Sequence, residues 1–484
     1  MCAVNHKITK LLHIHPSCDN WINAITRCYA NKNQILVGFK MAYFINFVPI
    51  LLFVFLFVGS GVYFTAIGVA DAFYQLSPMA AILPPIMLGW ILHKGNTQQK
   101  MHAFLDGVRH RDIITMCTIF LLAGAFSEIT QSIGSVDATV NLALTWIPSQ
   151  FLLIGIFIIA AFISTAIGTS MGTIATIAPI AAGLSIQADL SPALTIATVI
   201  SGAMFGDNLS VISDTTIAAV MSQEADMKKR FKLNAKIAGV ASIITIAILF
   251  AKIGGSPVIA ANDYSMILVA PYILVMLLAI MGVNVLIALV AGITFAGIVG
   301  FISNNDHGVL FLSQKITEGF RSMNDIMLLS LMVGGLSGLA GSKFSKDTVD
   351  KLSHLIEKMN GGKKFSQLII GAVVSIFDIL LANNVIAIIF CGEIARDIAK
   401  KYHIPPHYSA AWLDIFSCVF QGIIPYGAQV LLASTIAKVS PLDVVPHVYY
   451  CYALAVVAIL YICLGKSAKT TSVQNVVTSI KAAV

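Results

Sequence analysis

The sequence predicts an all-α polytopic membrane protein, because three observations agree. Of its 484 residues, 57% are hydrophobic and only 11% are charged, whereas about a quarter of a soluble domain is charged. Apolar windows as long as a bilayer-crossing helix recur from residue 43 to residue 465, and we count about eleven to thirteen transmembrane segments. The net charge of +7 comes from Lys and Arg in the loops between these windows, a placement that argues against nucleic-acid binding.

Charge divides the chain into three parts. Residues 1–40 carry five Lys or Arg against one acid, Asp19, and are predicted to be a polar, basic cytoplasmic extension. Residues 41–465 form the transmembrane domain, and residues 466–484 form a second cytoplasmic tail. The basic clusters at 94–111, 227–236, 343–364 and 400–401 are assigned to the cytoplasm by the positive-inside rule, so both termini are expected there.

Two stretches share one order of features. Residues 149–222 and 365–438, at an offset of 216, each contain an apolar helix, a break, a second apolar stretch, a loop with proline and a helix that breaks at glycine. This offset aligns Gly206 with Gly422. The charge assignment starts the first unit outside and the second inside, which predicts two inverted repeats with discontinuous helices. In such folds the binding site lies where the broken helices meet.

The stretch GDNLSVISDTT, from Gly206 onward, carries the strongest candidates. In a continuous helix Asp207 and Asp214 would share a face but lie about 10 Å apart along the axis, too far to share one ion unless the helix unwinds at Gly206. Carboxylate, amide and hydroxyl oxygens suit a hard cation such as Na⁺ better than a transition metal. A helix cap near the surface is the structural alternative. The candidate ligands are Asp207, Asn208, Ser210, Ser213, Asp214 and Thr215.

Other polar residues lie at the remaining predicted breaks. The stretch GTSMGT either ligates an ion or only allows close helix packing, and its candidates are Gly168, Thr169, Ser170 and Thr173. Asp378 and Asp414 lie in apolar runs without a nearby cation in the sequence, whereas Glu393 has Arg396 three residues on. The offset of 216 places Asp207 on Ile423 and Asp214 on Val430, so the acids are not symmetric. The second-repeat candidates are Asp378, Asn383, Asn384, Glu393, Asp414, Gln421 and Gln429.

The sequence resembles the NhaC family of Na⁺/H⁺ antiporters, within the broader ion-transporter superfamily. The resemblance lies in GTSMGT followed by FGDNLSVISDTTIAA, and in the later stretches GEIA and SAAWLD to QGIIPYGAQ. The resemblance covers roughly residues 41–465. It implies two inverted repeats, Na⁺ and H⁺ as transported ions, no cofactor, and a bacterial inner membrane. Many relatives have Trp where this chain has Met171. Because the superfamily includes carriers of organic acids and amino acids, the resemblance does not fix the substrate.

The expected function is exchange of Na⁺ for H⁺ at carboxylates that bind one or the other. A partly desolvated carboxylate can hold either ion near neutral pH. Coupled transport of a small organic acid or amino acid is the main alternative, since helix N-termini and amide side chains suit such a ligand. An aspartic protease is disfavoured, because Met204 stands where its pattern has glycine. The oligomeric state, a homodimer included, stays open.

Overall fold

The computed structural model describes residues 48–67, 75–146, 148, 151–252, 263–303, 308–341 and 362–464. Within these ranges every regular element is a helix, which confirms the all-α prediction. The expectations for residues 1–40 and 466–484 fall outside the described part of the chain.

The described helices include two units of four, with further helices before, between and after them in the chain. The helices before the first unit are α1 (Val48–Ala66), α2 (Pro78–Ala81), α3 (Leu83–Leu92), α4 (Thr97–Val108), α5 (Arg111–Ser132) and α6 (Ser135–Trp146). The first unit contains α7 (Leu152–Ile167), α8 (Ser170–Gln187), α9 (Pro192–Leu209) and α10 (Asp214–Gln223). Then follow α11 (Met227–Lys252), α12 (Met266–Ile280), α13 (Val285–Ser303), α14 (Val309–Ser322) and α15 (Asn324–Gly341).

The second unit and the C-terminal helices complete the described chain. They are α16 (Lys363–Leu381), α17 (Asn384–Lys401), α18 (Pro406–Gln421), α19 (Ala428–Ala437), α20 (Pro441–Val444), a 3₁₀ turn (Val445–His447) and α21 (Tyr449–Leu464). In the described residues, six helices are long and apolar enough to cross a membrane, or eight if each of two bent pairs is one span. Five shorter apolar helices accompany them, and the predicted eleven to thirteen spans require that these shorter helices cross too.

The first helix of each unit breaks where the sequence predicts. Gly168 follows α7 with φ 76°, and Thr169 then extends with φ −150° before α8 begins. Ala382 follows α16 with φ 51°, and Asn383 extends with φ −149° before α17 begins. Two residues therefore separate the helices at both breaks, one left-handed and one extended.

The third helix of each unit also breaks, but the offset of 216 is wrong by two residues. Pro192 and Pro406 both stand first in their helices, where a missing N–H costs nothing, and they are 214 residues apart. Gly168 and Ala382 differ by the same 214. At this offset Asp207 falls on Gln421. The chain leaves helical geometry at residues 210–213 in the first unit and at residues 422–427 in the second.

Gly206 is not the point of unwinding, which corrects the sequence prediction. Helix α9 continues through Gly206 to Leu209. A Cβ at Gly206 would lie 2.4 Å from the Cβ of Ser164 and 2.5 Å from the carbonyl oxygen of Ala161. The glycine therefore lets α9 pack directly on the backbone of α7. Since residues around it keep their helical hydrogen bonds, the break begins only at Ser210.

The same packing recurs in both units. The backbone of Phe157 in α7 lies against Gly202 in α9, and at the offset of 214 the ring of Phe416 in α18 lies against Gly371 in α16. Both pairs are 45 residues apart. Between units, α8 packs against α19 and α10 against α17. The broken ends therefore converge in the interior, while the two-fold relation of the units stays a prediction.

Candidate functional site

Asp207 lies buried at the end of α9, and the described side chains that hydrogen-bond to it are uncharged. Its carboxylate accepts hydrogen bonds from Ser213, in the break, and from Ser170 at the start of α8, the latter at 3.0 Å. Ser213 also shares a hydrogen bond of 2.8 Å with the hydroxyl of Thr215. All four side chains are at most 4% exposed. Two hydroxyls therefore reach the carboxylate, Ser213 from this break and Ser170 from the start of α8, and a third, Thr215, bonds Ser213.

A chain of amide side chains extends from this cluster to the second unit. Gln429, at the start of α19, donates to the hydroxyl oxygen of Ser170 at 3.2 Å. Gln421, at the end of α18, donates to the side-chain oxygen of Gln429 at 2.7 Å and to the carbonyl of Ala382 at 3.4 Å. Ala382 is the left-handed residue of the α16–α17 break. Hydrogen bonds thus connect Asp207 to the opposite broken helix.

Asp414 occupies a different environment, because a buried arginine neutralises it. Arg230 of α11 forms an ion pair with one carboxylate oxygen of Asp414, and both side chains are fully buried. Asn208 and Asn234 donate to that same oxygen at 3.0 and 2.8 Å. Arg230 also donates to the backbone carbonyl of Asn208 at 2.9 Å. The prediction of Asp414 as an ion ligand overlooked this partner, which is remote in sequence.

Sequence reasoning therefore missed Arg230 and Asn234. Both belong to the run MKKRFKLNAK, which was assigned as a cytoplasmic charge cluster. A signal was present nonetheless: Arg230 and Asn234 are four residues apart and share their helix face with Ile237 and Ala241, all four of which are buried. A cation on the apolar face of an amphipathic helix needs a buried partner.

Two predicted acids lie outside the buried clusters. Asp214 stands at the first position of α10 and is exposed, so the helix that would align it with Asp207 is interrupted between them. Glu393 is exposed on α17. Arg396, its expected partner, instead forms an ion pair of 2.8 Å with Glu224. Asp214 and Glu393 therefore do not belong to the buried clusters around Asp207 and Asp414.

The remaining candidates hold the breaks in shape. The carbonyl of Ser210 accepts a hydrogen bond of 2.8 Å from the Thr216 hydroxyl, which joins the break to α10. Thr173 donates to the carbonyl of Thr169 at 3.1 Å. Asn383 caps α17 by accepting from the backbone N–H of Ile386 at 2.9 Å. Their polar groups compensate for backbone partners lost where the helices stop.

Asp378, near the end of α16, differs from both other buried aspartates. It is fully buried, yet among the described residues neither carboxylate oxygen has a hydrogen-bond partner. Asn384, on the other side of the same break, also has an unpartnered side-chain nitrogen in this part of the chain and is 7% exposed. Met171 is buried in the hydrophobic core, so the residue that replaces the relatives' Trp is part of the packing.

The site places hydroxyl oxygens around the carboxylate of Asp207, which forms no ion pair within the described residues. Hydroxyl groups can donate to a carboxylate and, after rotation, direct their lone pairs at a cation. Such a set suits Na⁺ and gives a thiol- or imidazole-seeking metal no ligand. Asp207, Ser170, Ser213 and Thr215 could therefore bind either a proton or a small hard cation.

Several known proteins are similar to this chain. A family model described as "Na+/H+ antiporter family" matches residues 25–254. The Na⁺/H⁺ antiporter NhaC of Bacillus subtilis is 25% identical over 74% of this chain and 85% of that protein. The malate-2H⁺/Na⁺-lactate antiporter of the same organism is 23% identical over 72% of this chain and 81% of that protein. The crystal structure of the YdaH transporter of Alcanivorax borkumensis covers 86% of this chain and 98% of that one, with a TM-score of 0.40 and 12% identity.

Proposed function

We propose that this chain, which is similar to the Na⁺/H⁺ antiporter family over residues 25–254 and to the Na⁺/H⁺ antiporter NhaC of Bacillus subtilis, is a secondary transporter that exchanges Na⁺ for H⁺ at Asp207. The observation that carries this proposal is the contrast in charge compensation. Asp207 is 4% exposed and hydrogen-bonded only by hydroxyls, whereas Asp414 is paired with Arg230. A carboxylate that lacks a protein cation can accept one from solution.

Competition for the same oxygens performs the exchange. A proton on Asp207 neutralises the buried carboxylate, and a Na⁺ ion does the same when Ser170, Ser213 and Thr215 turn their oxygens toward it. Either ion lowers the cost of holding the charge in the interior, but both cannot occupy the carboxylate together. Binding of one therefore releases the other.

Two inverted repeats would carry the site between the two sides of the membrane. The recurring spacing of 45 residues between packed partners, Phe157 with Gly202 and Gly371 with Phe416, supports related units. The exchange of partners, with α8 against α19 and α10 against α17, supports a two-fold relation between them. Superposing residues 152–223 on residues 363–437 after a rotation in the membrane plane tests the repeat, and failure to overlay would exclude it.

A bacterial inner-membrane location with both termini in the cytoplasm completes the proposal. The Glu224–Arg396 ion pair of 2.8 Å joins the ends of α10 and α17, and this supports a common side for the basic clusters at 227–236 and 400–401. Lys229 is exposed there. A Lys229→Cys variant should react with a membrane-impermeant maleimide in everted vesicles, above the unsubstituted chain's background. Labelling only in right-side-out vesicles would reverse the orientation.

Asp207→Asn tests the exchange itself. The amide keeps the size of the side chain but cannot carry the charge, so Na⁺-dependent proton flux in everted vesicles should be abolished. Asp397→Asn serves as the control, since Asp397 is exposed on α17 and its substitution should leave flux near the wild-type rate. Normal flux in the Asp207 variant would remove this residue from the mechanism.

Coupled exchange of a small organic acid is the second candidate. The similarity to a malate-2H⁺/Na⁺-lactate antiporter favours it, as do the amide side chains of Gln421 and Gln429 beside the helix ends. Proteoliposomes that contain labelled malate or lactate discriminate between the candidates. Label movement driven by a Na⁺ gradient would establish an organic substrate, and its absence alongside robust Na⁺/H⁺ exchange would leave the cation-only function.

A further inference from the structure

Asp414 keeps one free acceptor although its charge is balanced. Arg230, Asn208 and Asn234 all donate to the same carboxylate oxygen, Oδ2. The other oxygen, Oδ1, is buried and has no hydrogen-bond partner among the described residues. A carboxylate oxygen can accept further hydrogen bonds, and a buried acceptor without one is unfavourable. A donor that reaches Oδ1 at some stage of transport would therefore be stabilised there.

The groups around Asp414 hold both sides of the first-unit break. On the α9 side, Asn208 donates to Asp414 at 3.0 Å. The backbone carbonyl of Asn208 accepts hydrogen bonds from Arg230 at 2.9 Å and from Asn234 at 3.3 Å. On the α10 side, the hydroxyl of Thr215 lies beside the Asp414 carboxylate. Asp414 therefore lies against both helices whose break forms the Asp207 site.

The hydroxyl protons of this break can be counted. Ser213 donates its only hydroxyl proton to Asp207, so it is the acceptor in its 2.8 Å hydrogen bond with Thr215. Thr215 also has one hydroxyl proton, and giving it to Ser213 leaves none for Asp414. The two hydroxyls thus form a chain between the two carboxylates, and both protons point toward Asp207. This direction suits an Asp207 that is ionised and carries neither H⁺ nor Na⁺.

A Na⁺ ion at Asp207 reverses this chain. The positive charge repels the proton that Ser213 directs at the carboxylate, and the oxygen of Thr215 can accept the hydrogen bond instead. Thr215 must then turn its own proton away from Ser213, and the free Oδ1 of Asp414 can accept it. Each proton stays on its own oxygen, and only the hydroxyls rotate. Both hydroxyls then have a lone pair available for the ion.

We infer that Asp414 is a positioning residue of the Na⁺ site, because its free oxygen accepts the Thr215 hydroxyl while Na⁺ is bound. This inference rests on the proposed exchange at Asp207. Without that acceptor, the Thr215 proton keeps pointing at Ser213, and neither hydroxyl can turn to the ion. Arg230 balances the charge of Asp414, so the acceptor stays in place without binding Na⁺ itself. The buried ion pair thus serves the Na⁺ affinity of the site as well as the fold.

The test compares Na⁺ affinities in proteoliposomes, measured as the Na⁺ concentration for half-maximal proton flux at a fixed pH. Thr215→Val removes the hydroxyl and keeps the size of the side chain, so this concentration should rise about 10- to 150-fold. Thr215→Ser retains the hydroxyl and should recover most of the affinity. Thr245→Val in α11 is the matched control, since this buried threonine donates to the carbonyl of Ala241 in its own helix. The control should keep the wild-type Na⁺ concentration.

A double-mutant cycle separates positioning from stability. The charge-free variant combines Arg230→Met with Asp414→Leu, which removes the acceptor without leaving an unpaired buried charge. Its half-maximal Na⁺ concentration should rise about 10-fold or more, because Thr215 can no longer release Ser213. Adding Thr215→Val to this variant should change the value by no more than about twofold, since the effects of coupled residues do not add. A purely structural role for the ion pair would instead multiply the two losses.

Each outcome decides the inference. Losses that multiply overturn it, as does wild-type Na⁺ affinity in either Thr215→Val or the charge-free variant. If either variant carries no measurable flux, a Na⁺-bound structure of the wild type is determined. Contact of the Thr215 hydroxyl oxygen with both the ion and Asp414 supports the inference, and the absence of either contact overturns it. The proposed function fails separately, when the wild type shows no Na⁺-driven proton flux or when Asp207→Asn retains it.

Discussion

Asp207 and Asp414 are equally deep in the protein but have opposite surroundings. Both receive several hydrogen bonds, and neither is more than 4% exposed. The donors to Asp207 are hydroxyl groups that can rotate, whereas Asp414 receives a guanidinium and two amides. The difference teaches that burial does not identify an exchange site. If a cation of the protein already balances the charge of an aspartate, that aspartate is not available to bind Na⁺ or H⁺.

The largest expected effect is on stability, from Arg230→Met. This substitution leaves Asp414 buried without its cation, and removal of one partner of a buried ion pair costs about 3–5 kcal/mol. The measurement is the thermal unfolding midpoint in detergent, which should fall sharply. The double variant with Asp414→Leu should recover most of the loss, since no unpaired charge remains. If the double variant is as unstable as the single one, Arg230 stabilises the fold by other contacts.

Ser213→Ala should weaken Na⁺ binding at Asp207. The change removes one hydroxyl that bonds the carboxylate, and hydrogen bonds to charged groups contribute about 1.5–3 kcal/mol. The Na⁺ concentration for half-maximal exchange should therefore rise about 10- to 150-fold. Ser222→Ala is the control, because the hydrogen bonds of Ser222 among the described residues are to the carbonyl of Ala219 in its own helix and from the side chain of Gln223. Equal affinities in both variants would exclude Ser213 as a ligand.

Gly206→Ala should disturb the position of Asp207 through packing. The new methyl group would meet Ser164 at 2.4 Å and the Ala161 backbone at 2.5 Å, and overpacking typically costs about 1–3 kcal/mol. The unfolding midpoint and the exchange rate should both fall. Gly239→Ala in α11 is the matched control, since a Cβ there meets nothing within 4 Å. The control should be neutral or slightly stabilising.

The smallest effect is expected for Asp214→Asn. Because Asp214 is exposed and separated from Asp207 by the break, Na⁺-dependent proton flux should stay within about twofold of the wild type, as is usual for surface substitutions. Vesicle flux under the Asp207→Asn conditions provides the measurement. A loss as complete as in the Asp207 variant would restore the sequence expectation that both aspartates act together.

Much of the fold and part of the site could be predicted from the sequence. The left-handed breaks at Gly168 and Ala382 lie where polar and small residues interrupt apolar helices. Ser170, Asp207 and Ser213, all named in advance, do come together. Asp214 does not, because the predicted helix face assumed a continuous helix. The position of the second break was misjudged at Gly206, since glycine can serve either unwinding or close packing, and local sequence does not distinguish these roles.

The sequence by itself determined that the chain lies in a membrane, that its fold is helical, and that its candidate binding residues carry oxygen ligands. An apolar chain in a bilayer must satisfy its backbone hydrogen bonds internally, which leaves helices as the solution here. The tertiary structure alone decided which carboxylate is compensated. Arg230 and Asp414 are 184 residues apart in the chain, and ion pairing depends on distance in space. The sequence pattern of one segment does not show which residues of distant segments are close in space. Only the fold therefore shows that, among the described residues, Asp414 has a cationic partner and Asp207 does not.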